Sequence, residues 1–269
     1  MKYFKLTLCT ILLLGFFVFY ADAGVLIVSV QESLDKPGEA FTSKAFIDRN
    51  SMRVETRSNN QNNIIIFRND KKVFWAVNQD EKSYTEMTKE DVKAMKKSMD
   101  EAMMQMEEQL KNMPPEQRVM MEKMMKGTMS TKPSKTVYKK TASSVKVNKW
   151  ICDKYEGYVN GKKDMDVWTT DWKDLGLTQE HFNVMQGMSE FFSEFTKEGS
   201  SLFKVGSNAW EKEQGYSGVP VKTVSYTEGR AGYKMELREI SEQDFAPALF
   251  DLPKGLMKKE FPMMGKPRR

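Results

Sequence analysis

Histidine and cysteine are scarce in this sequence, which contains one histidine and two cysteines among 269 residues. Zinc sites require clusters of these residues, and a serine or cysteine nucleophile requires a base within hydrogen-bonding distance. The sequence also lacks a glycine-rich phosphate loop and a G-x-S-x-G motif. We therefore predict that the protein is not an enzyme and uses no cofactor. The histidine, His181, is expected to take an exposed capping or packing role at the start of a helix.

A large excess of charge of one sign is also missing, since 42 Lys and Arg residues are interspersed with 37 Asp and Glu residues. Nucleic-acid-binding proteins usually carry a strongly basic surface and a recognisable binding module. We therefore expect no nucleic-acid partner. Basic residues concentrate at the C-terminal end, between Lys254 and Arg269. Such an end is typical of a solvated terminus, with contact to anionic lipid as the alternative.

The apolar run near the N-terminus is too short to anchor the protein in a membrane. It covers residues 6–20, follows Lys2 and Lys5, and precedes the small residues of Ala21-Asp22-Ala23. A bilayer-spanning helix needs about 20 apolar residues, whereas this order of features is typical of a secretory signal. We predict a signal peptide over 1–23, cleaved after Ala23. The mature protein would be exported and have no stable transmembrane segment.

Cleavage would leave Cys152 as the one cysteine of the mature chain, so an internal disulfide is excluded. Cys152 lies in the alternating stretch 150–155, which favours a strand. We expect a buried, inert thiol. A covalent dimer through this residue is the alternative.

Short β-rich runs separated by turn residues make up most of the remaining sequence. Their spacing of roughly 8–12 residues in the first half favours an antiparallel sheet. Asn160-Gly161 is the strongest hairpin signal, and a second hairpin is predicted about Glu228-Gly229-Arg230. The predicted strands are 25–30, 40–48, 52–57, 64–67, 72–78, 83–87, 136–140, 145–159, 163–170, 219–227 and 233–239.

Residues 88–126 have the composition of a helical hairpin inserted between two groups of strands. Thr88 and Asp91 have capping-box spacing, and Pro114-Pro115 would separate the two helices. A further helix is predicted over 178–198. The apolar residues of the first helix recur every three or four positions, on one helical face. This stripe comprises Val92, Met95, Met99, Met103, Met106, Leu110 and Met113.

Methionine is the unusual component, since 12 of the 21 methionines lie between Met87 and Met129. Burial of the stripe would be worth on the order of 10 kcal/mol, so a sheet, a partner or a ligand must cover it. The stripe could be ordinary core or an adaptable wall for a lipid-like ligand or varied partners. Thioethers also bind Cu(I) or Ag(I). The candidates for that third interpretation are Met103, Met104, Met106, Met120, Met121, Met124 and Met125.

Several segments, taken in order, resemble the exported bacterial proteins grouped as domain of unknown function 4412. That group is similar to the LolA/LppX-like lipoprotein-carrier superfamily. The resemblance spans nearly the whole mature chain. It rests on Phe46-Ile47-Asp48, Met52-Arg53-Val54-Glu55, Ile66-Phe67-Arg68-Asn69-Asp70, Phe74-Trp75, Lys82-Ser83-Tyr84-Thr85-Glu86-Met87, Cys152-Asp153-Lys154-Tyr155, Val167-Trp168 and Phe250-Asp251-Leu252-Pro253-Lys254-Gly255.

The resemblance implies an α+β fold, in which a curved antiparallel β half-barrel has inserted helices covering its concave face. Residues 24–269 would form a single LolA-like β domain with the Met-rich hairpin inserted at 88–126. In carriers of this shape the apolar concavity holds acyl chains. The resemblance also favours the periplasm, with an extracellular location as the alternative.

We therefore expect a non-enzymatic periplasmic carrier that sequesters a lipid, a lipoprotein or another apolar ligand under a helical lid. One alternative is an envelope structural or interaction protein whose cavity is filled by its own side chains. The other is the Cu(I)- or Ag(I)-binding protein. The expected ligand wall comprises Met95, Met99, Met103, Met106, Leu110, Phe182, Met185, Phe191 and Phe195.

Overall fold

The computed structural model describes residues 24–36, 38–58, 61–114, 117–118, 136–193 and 215–260. These ranges contain twelve strands and the helices α1 (Lys89–Lys111) and α2 (Gln179–Phe191). Two short 3-10 helices lie at Trp172–Leu175 and Pro247–Phe250. The strands are β1 (Gly24–Ser33), β2 (Ala40–Asp48), β3 (Ser51–Arg57), β4 (Asn62–Arg68), β5 (Val73–Asn78), β6 (Ser83–Thr88), β7 (Val137–Val147), β8 (Trp150–Val159), β9 (Lys162–Thr170), β10 (Val219–Thr227), β11 (Arg230–Gln243) and β12 (Met257–Lys259).

All twelve strands belong to one curved, open sheet. Their order is β12-β6-β5-β4-β3-β2-β1-β11-β10-β9-β8-β7, so β12 and β7 form its two edges. Neighbouring strands are antiparallel except for the parallel pair β6 and β12. Register shifts occur in the half that contains β7 to β11, where they bend the strands. The predicted α+β half-barrel made of antiparallel sheet is confirmed.

The residues at each turn explain why one β-hairpin was predicted from the sequence and another was missed. Asn160 and Gly161 have φ angles of 50° and 77°, as a two-residue type I′ turn requires, and they join β8 to β9. The predicted single strand 145–159 is wrong, because a turn at Asn148-Lys149 divides it into the end of β7 and all of β8. Asn148 supplies the left-handed conformation with φ 53°. The turn was missed because Lys149 replaces the glycine of the usual signal.

The two helices begin as their sequences predict. The Thr88 amide donates to Asp91 Oδ2 at 2.8 Å, and the Asp91 amide donates to Thr88 Oγ1 at 3.2 Å, which completes the capping box of α1. At α2 the Thr178 amide donates to His181 Nδ1 at 3.1 Å. The predicted capping role is therefore confirmed, whereas the expected exposure is wrong, because His181 is only 7% exposed. Residues 119–126, the second helix of the predicted hairpin, lie outside the described residues.

Helix α2 ends earlier than the predicted range 178–198. Its last helical residue is Phe191, and residues 194–198 lie outside the described ranges. The ring of Phe191 packs edge-on against Phe67 at 5.6 Å, and the ring of Phe192 packs against Phe74 at 5.4 Å. Successive side chains of a helix point about 100° apart. Because the helix ends at Phe191 and Phe192 is no longer helical, both rings can reach the same face of the sheet.

The sheet buries residues on both of its faces. We call the side on which α2 packs the helix face. The main core lies there and includes Leu237 of β11, Trp150 of β8 and Phe182 of α2. We call the opposite side the strap face, because residues 244–260, the C-terminal strap, cross it to reach the edge of β6. Leu252 and Leu256 of the strap pack on a second core formed by Ile64, Ile66, Val73, Trp75 and Val77.

Arginines of the strap face hold the strap in place. Arg53 Nη1 donates to the Leu249 carbonyl at 3.1 Å, and Arg68 Nη1 donates to Asp251 Oδ1 at 2.8 Å. Between these two contacts, Phe250 is buried at 1% exposure. The strap therefore combines a buried aromatic anchor with charged clamps. It carries β12, which pairs with β6 and so covers that strand edge.

Candidate functional site

Strands β1 to β6 pair in unbroken antiparallel register, so opposed residues form straight rows across the sheet. Side chains alternate between faces, so every second row belongs to the helix face. We name three of these rows by their character. The covered row comprises Val25, Ile47, Met52, Phe67, Phe74 and Met87; the apolar row comprises Ile27, Ala45, Val54, Ile65, Ala76 and Thr85; the polar row comprises Ser29, Ser43, Thr56, Asn63, Asn78 and Ser83.

The covered row lies in the main core, where α2 packs on it. Val25 and Ile47 are each 1% exposed, and Phe67 is fully buried. The aromatic contacts of Phe191 and Phe192 described above fall on this row. Its apolar surface is therefore already occupied by the protein itself.

The apolar row, one step along each strand, is less completely covered. Five of its members are half-buried, and Ile65 is 38% exposed. Five of the six side chains are aliphatic, and the sixth is Thr85. Ile27 and Val54 pack against the main core, so the accessible part of the row is centred on Ile65.

The polar row carries only hydroxyl and carboxamide side chains. Asn78 Oδ1 accepts a hydrogen bond from the Glu81 amide at 3.0 Å, and Ser83 Oγ lies 3.4 Å from Glu81 Oε2. The other four side chains make no hydrogen bond within the described residues. Each can donate and accept hydrogen bonds, so together they form an uncharged polar border beside the apolar row.

A shallow depression of about 420 Å³ lies where β4, β5 and β6 cross these two rows. Ile65, Ala76 and Thr85 of the apolar row line it together with Asn63, Asn78 and Ser83 of the polar row. Glu81 and Lys259 stand at its edge and form an ion pair. The hydrogen bond from Lys259 lowers the pKa of the Glu81 carboxyl, which therefore stays ionised and paired.

Charged residues of the same strands lie on the strap face instead. Lys44 is opposite Glu55 in the β2–β3 pair, and both alternate with residues of the polar and apolar rows. With Arg57 they line a second depression of about 290 Å³, to which Thr56 and Asn63 of the polar row also contribute. The two faces thus differ in chemistry: the strap face carries the charged residues of these strands beside its apolar second core, and the three rows of the helix face are uncharged.

Helix α1 packs on the sheet through its first two turns. Val92 is fully buried in the main core, and Met95 packs against that core. The stripe then becomes more accessible, although the helix continues for about 24 Å beyond Met95 at 1.5 Å per residue. Met99, Met106 and Leu110 are half-buried, whereas Met103 and Met104 are 45% and 61% exposed.

The expected wall residues on α2 take part in the main core. Phe182 is 4% exposed and lies edge-on to Trp172 at 6.1 Å, and Phe191 is 2% exposed. Met185 packs against the same core. These residues form a filled floor, and Phe195 lies outside the described residues.

Only some of the methionines proposed as soft-metal ligands lie within the described residues. Met103, Met104 and Met106 belong to α1, and the first two expose much of their side chains. Met120, Met121, Met124 and Met125 lie outside the described residues. The metal interpretation therefore stays a prediction.

Cys152 is buried in the main core at 1% exposure, as expected of an inert thiol. Burial raises its pKa to about 11, so the reactive thiolate is rare at neutral pH. Its sulfur lies 3.8 Å from the Trp150 carbonyl oxygen. A disulfide to a second chain would require this part of the core to open.

The sheet rows were missed by sequence reasoning, which placed the candidate site on the helices. A signal was present, since Asn63, Ile65 and Phe67 alternate along β4 with Ile64 and Ile66. The run Ile64-Ile65-Ile66-Phe67 is apolar throughout, however, and hid that alternation. Only the strand register shows which isoleucine lies on the helix face.

Neither α1 nor α2 carries an apolar stretch long enough to cross a bilayer, and this holds for every helix in the described ranges.

Comparison with known proteins gives a family match. The family model described as domain of unknown function, DUF4412, matches residues 86–256. No curated protein matches the sequence. Among solved structures, the chain is similar to an uncharacterized conserved protein from Thermus thermophilus, with 9% identity, a TM-score of 0.44, and coverage of 89% of this chain and 91% of that one.

Proposed function

The chain belongs to the DUF4412 family, and we propose that it is an exported, non-enzymatic binding or carrier protein for a lipid-like or other apolar ligand. The proposal rests on one observation, which is that the helix face is only partly covered. The covered row is packed under α2, whereas the adjacent apolar row keeps Ile65 at 38% exposure. When a ligand covers such an apolar strip and removes it from water, the free energy of the complex is lowered.

Helix α1 would supply the second wall of the site. Its methionines beyond Met95 are accessible, and unbranched thioether side chains adapt to ligands of varied shape. In the proposed arrangement α1 and α2 cover the concave face of the half-barrel, with α1 acting as a lid. Met99, Met103, Met106 and Leu110 would contact the ligand, and the core around Phe182 would form the floor.

The structural roles of the histidine and the cysteine support a binding role without catalysis. His181 caps α2 and is buried, and Cys152 is a buried thiol with a raised pKa. We propose export to the periplasm on the basis of the predicted signal peptide. Cleavage after Ala23 would leave β1 intact, because that strand begins at Gly24.

Native mass spectrometry of the mature protein, purified gently from its own envelope fraction, tests this proposal. The expected result is a bound mass that organic extraction removes and that fragments as a lipid. A bare mass that does not change on adding lipids would instead support an envelope interaction protein with a self-filled core. A stoichiometric Cu(I) adduct under anaerobic titration would support the thioether metal site.

A matched pair of variants locates the binding surface. Ile65→Glu places a charge in the apolar row, and Ile151→Glu places one at another strand position, where the side chain is 58% exposed. Rebinding of an extracted ligand should fall at least about tenfold in the first variant and stay near wild type in the second. Equal affinities for the two variants would rule out the apolar row as the binding surface.

A further inference from the structure

The polar row indicates what kind of head group the ligand carries. It lies about 7 Å beyond the apolar row on the same face, at two residues per step along each strand. A ligand whose apolar part rests on the apolar row therefore has its polar part beside serine, threonine and asparagine side chains. No charged residue occurs in the three rows across β1 to β6.

A charged head group in this position would have to break an existing ion pair to gain a counter-ion. The charges nearest to the depression, on Glu81 and Lys259, already neutralise each other. Transferring a charge out of water without a counter-ion is costly, whereas hydroxyl and amide groups can exchange water for the polar row without that cost. Ser29, Ser43, Thr56 and Asn63 are available for such hydrogen bonds.

We infer that the site selects amphiphiles whose head group is uncharged and rich in hydroxyl or amide groups, seated in the depression lined by Asn63, Ile65 and Thr85. This inference rests on the proposed binding function and adds the ligand class. The apolar row and the methionines of α1 bind the chain. The polar row binds the head, and it discriminates because it offers hydrogen bonds and no counter-ion.

Three probes with the same twelve-carbon chain separate the head-group classes. Dodecyl maltoside is uncharged and rich in hydroxyl groups, laurate is anionic, and dodecyltrimethylammonium is cationic. Each is titrated, as monomer, into the full mature protein after organic extraction of any bound ligand, and the dissociation constants are measured by calorimetry. We expect dodecyl maltoside to bind at least about tenfold more tightly than either ionic probe.

Adjacent asparagines on β4 provide the matched control. Asn63 belongs to the polar row, and Asn62, the preceding residue, alternates to the strap face. Asn63→Lys should improve laurate binding about tenfold relative to dodecyl maltoside, and Asn63→Asp should do the same for the cationic probe. Asn62→Lys should leave the order of affinities unchanged. Asn63 is exposed, whereas Asn62 is half-buried and hydrogen-bonded to Arg57 and Asp80, so circular dichroism verifies that each variant is folded.

The titrations distinguish a failure of the proposed head-group selectivity from a failure of the proposed binding function. An ionic probe that binds wild type as tightly as dodecyl maltoside overturns the head-group selectivity but leaves an apolar binding site in place. The same change in preference for Asn62→Lys and Asn63→Lys also overturns it, because the polar row would then not be the site. Failure of all three probes to bind overturns both the selectivity and the binding function.

Discussion

The difference between the two parts of the methionine-rich region can be measured as a difference in stability. Met87 is 6% exposed and belongs to the main core, whereas Met103 is 45% exposed on the distal part of α1. Truncating a fully buried methionine to alanine costs about 2–5 kcal/mol, which includes the cavity left behind. We therefore expect Met87→Ala to lower the unfolding free energy by that amount.

The cost at Met103 should be much smaller. Complete burial of a methionine side chain is worth about 1.5–3 kcal/mol, and Met103 is only about half withdrawn from water. The higher helix propensity of alanine offsets part of the loss. The net cost is then about 1 kcal/mol, well below the value for Met87→Ala. For a domain of this size, these energies correspond to a melting temperature lowered by about 5–15 °C for Met87→Ala and by about 3 °C for Met103→Ala.

Thermal unfolding of the extracted, ligand-free protein, followed by circular dichroism, measures both values. Equal destabilisation by Met103→Ala and Met87→Ala would contradict this difference, because the distal part of α1 would then be core. Adding ligand provides an internal check. It should raise the melting temperature of wild type more than that of Met103→Ala if this methionine contacts the ligand.

Two further predictions concern the buried thiol and the C-terminal strap. Cys152, with a pKa of about 11 and 1% exposure, should resist alkylation at about pH 8 until denaturant is added, and rapid labelling of native protein would contradict its burial. The pKa of Asp251 is lowered by Lys71 and Arg68, and that of Glu86 by Lys258 and Trp75. These carboxylates stabilise the strap above their unfolded pKa of about 4 and lose that effect as the pH falls through the lower folded values. When the pH is lowered, amide hydrogen exchange, corrected for intrinsic rates, should therefore increase in the strap at a higher pH than it does in β2 and β3. An increase at the same pH in all three segments would contradict a stabilising role for these ion pairs.

Local signals predicted the parts of the fold that depend on a few neighbouring residues. The capping box of Thr88 and Asp91 and the turn at Asn160-Gly161 were found because backbone geometry and hydrogen bonding at these points are set within four residues. The turn at Asn148-Lys149 was missed because its second residue has no special conformational preference. It is determined instead by the pairing of Val147 with Trp150.

Long-range packing decided the parts that were predicted incorrectly or missed. Helix α2 ends at Phe191 because two adjacent rings reach Phe67 and Phe74, which lie more than a hundred residues away in the sequence. The candidate site was placed on the helices because their periodicity was visible. The apolar and polar rows became recognisable only when six strands were aligned in register.

The family, the α+β class, the alternation of β-rich and helical segments, and the concentration of methionine between Met87 and Met129 could all be predicted from the sequence. The family follows from the order of short sequence motifs, and the other properties follow from composition, periodicity and turn chemistry, which act over short distances along the chain. The tertiary structure alone decided which apolar residues stay accessible. Ile64 and Ile66 lie under the strap, while Ile65 between them remains 38% exposed on the helix face. Three identical side chains differ in this way because burial depends on which element packs against each face, and not on the residue itself.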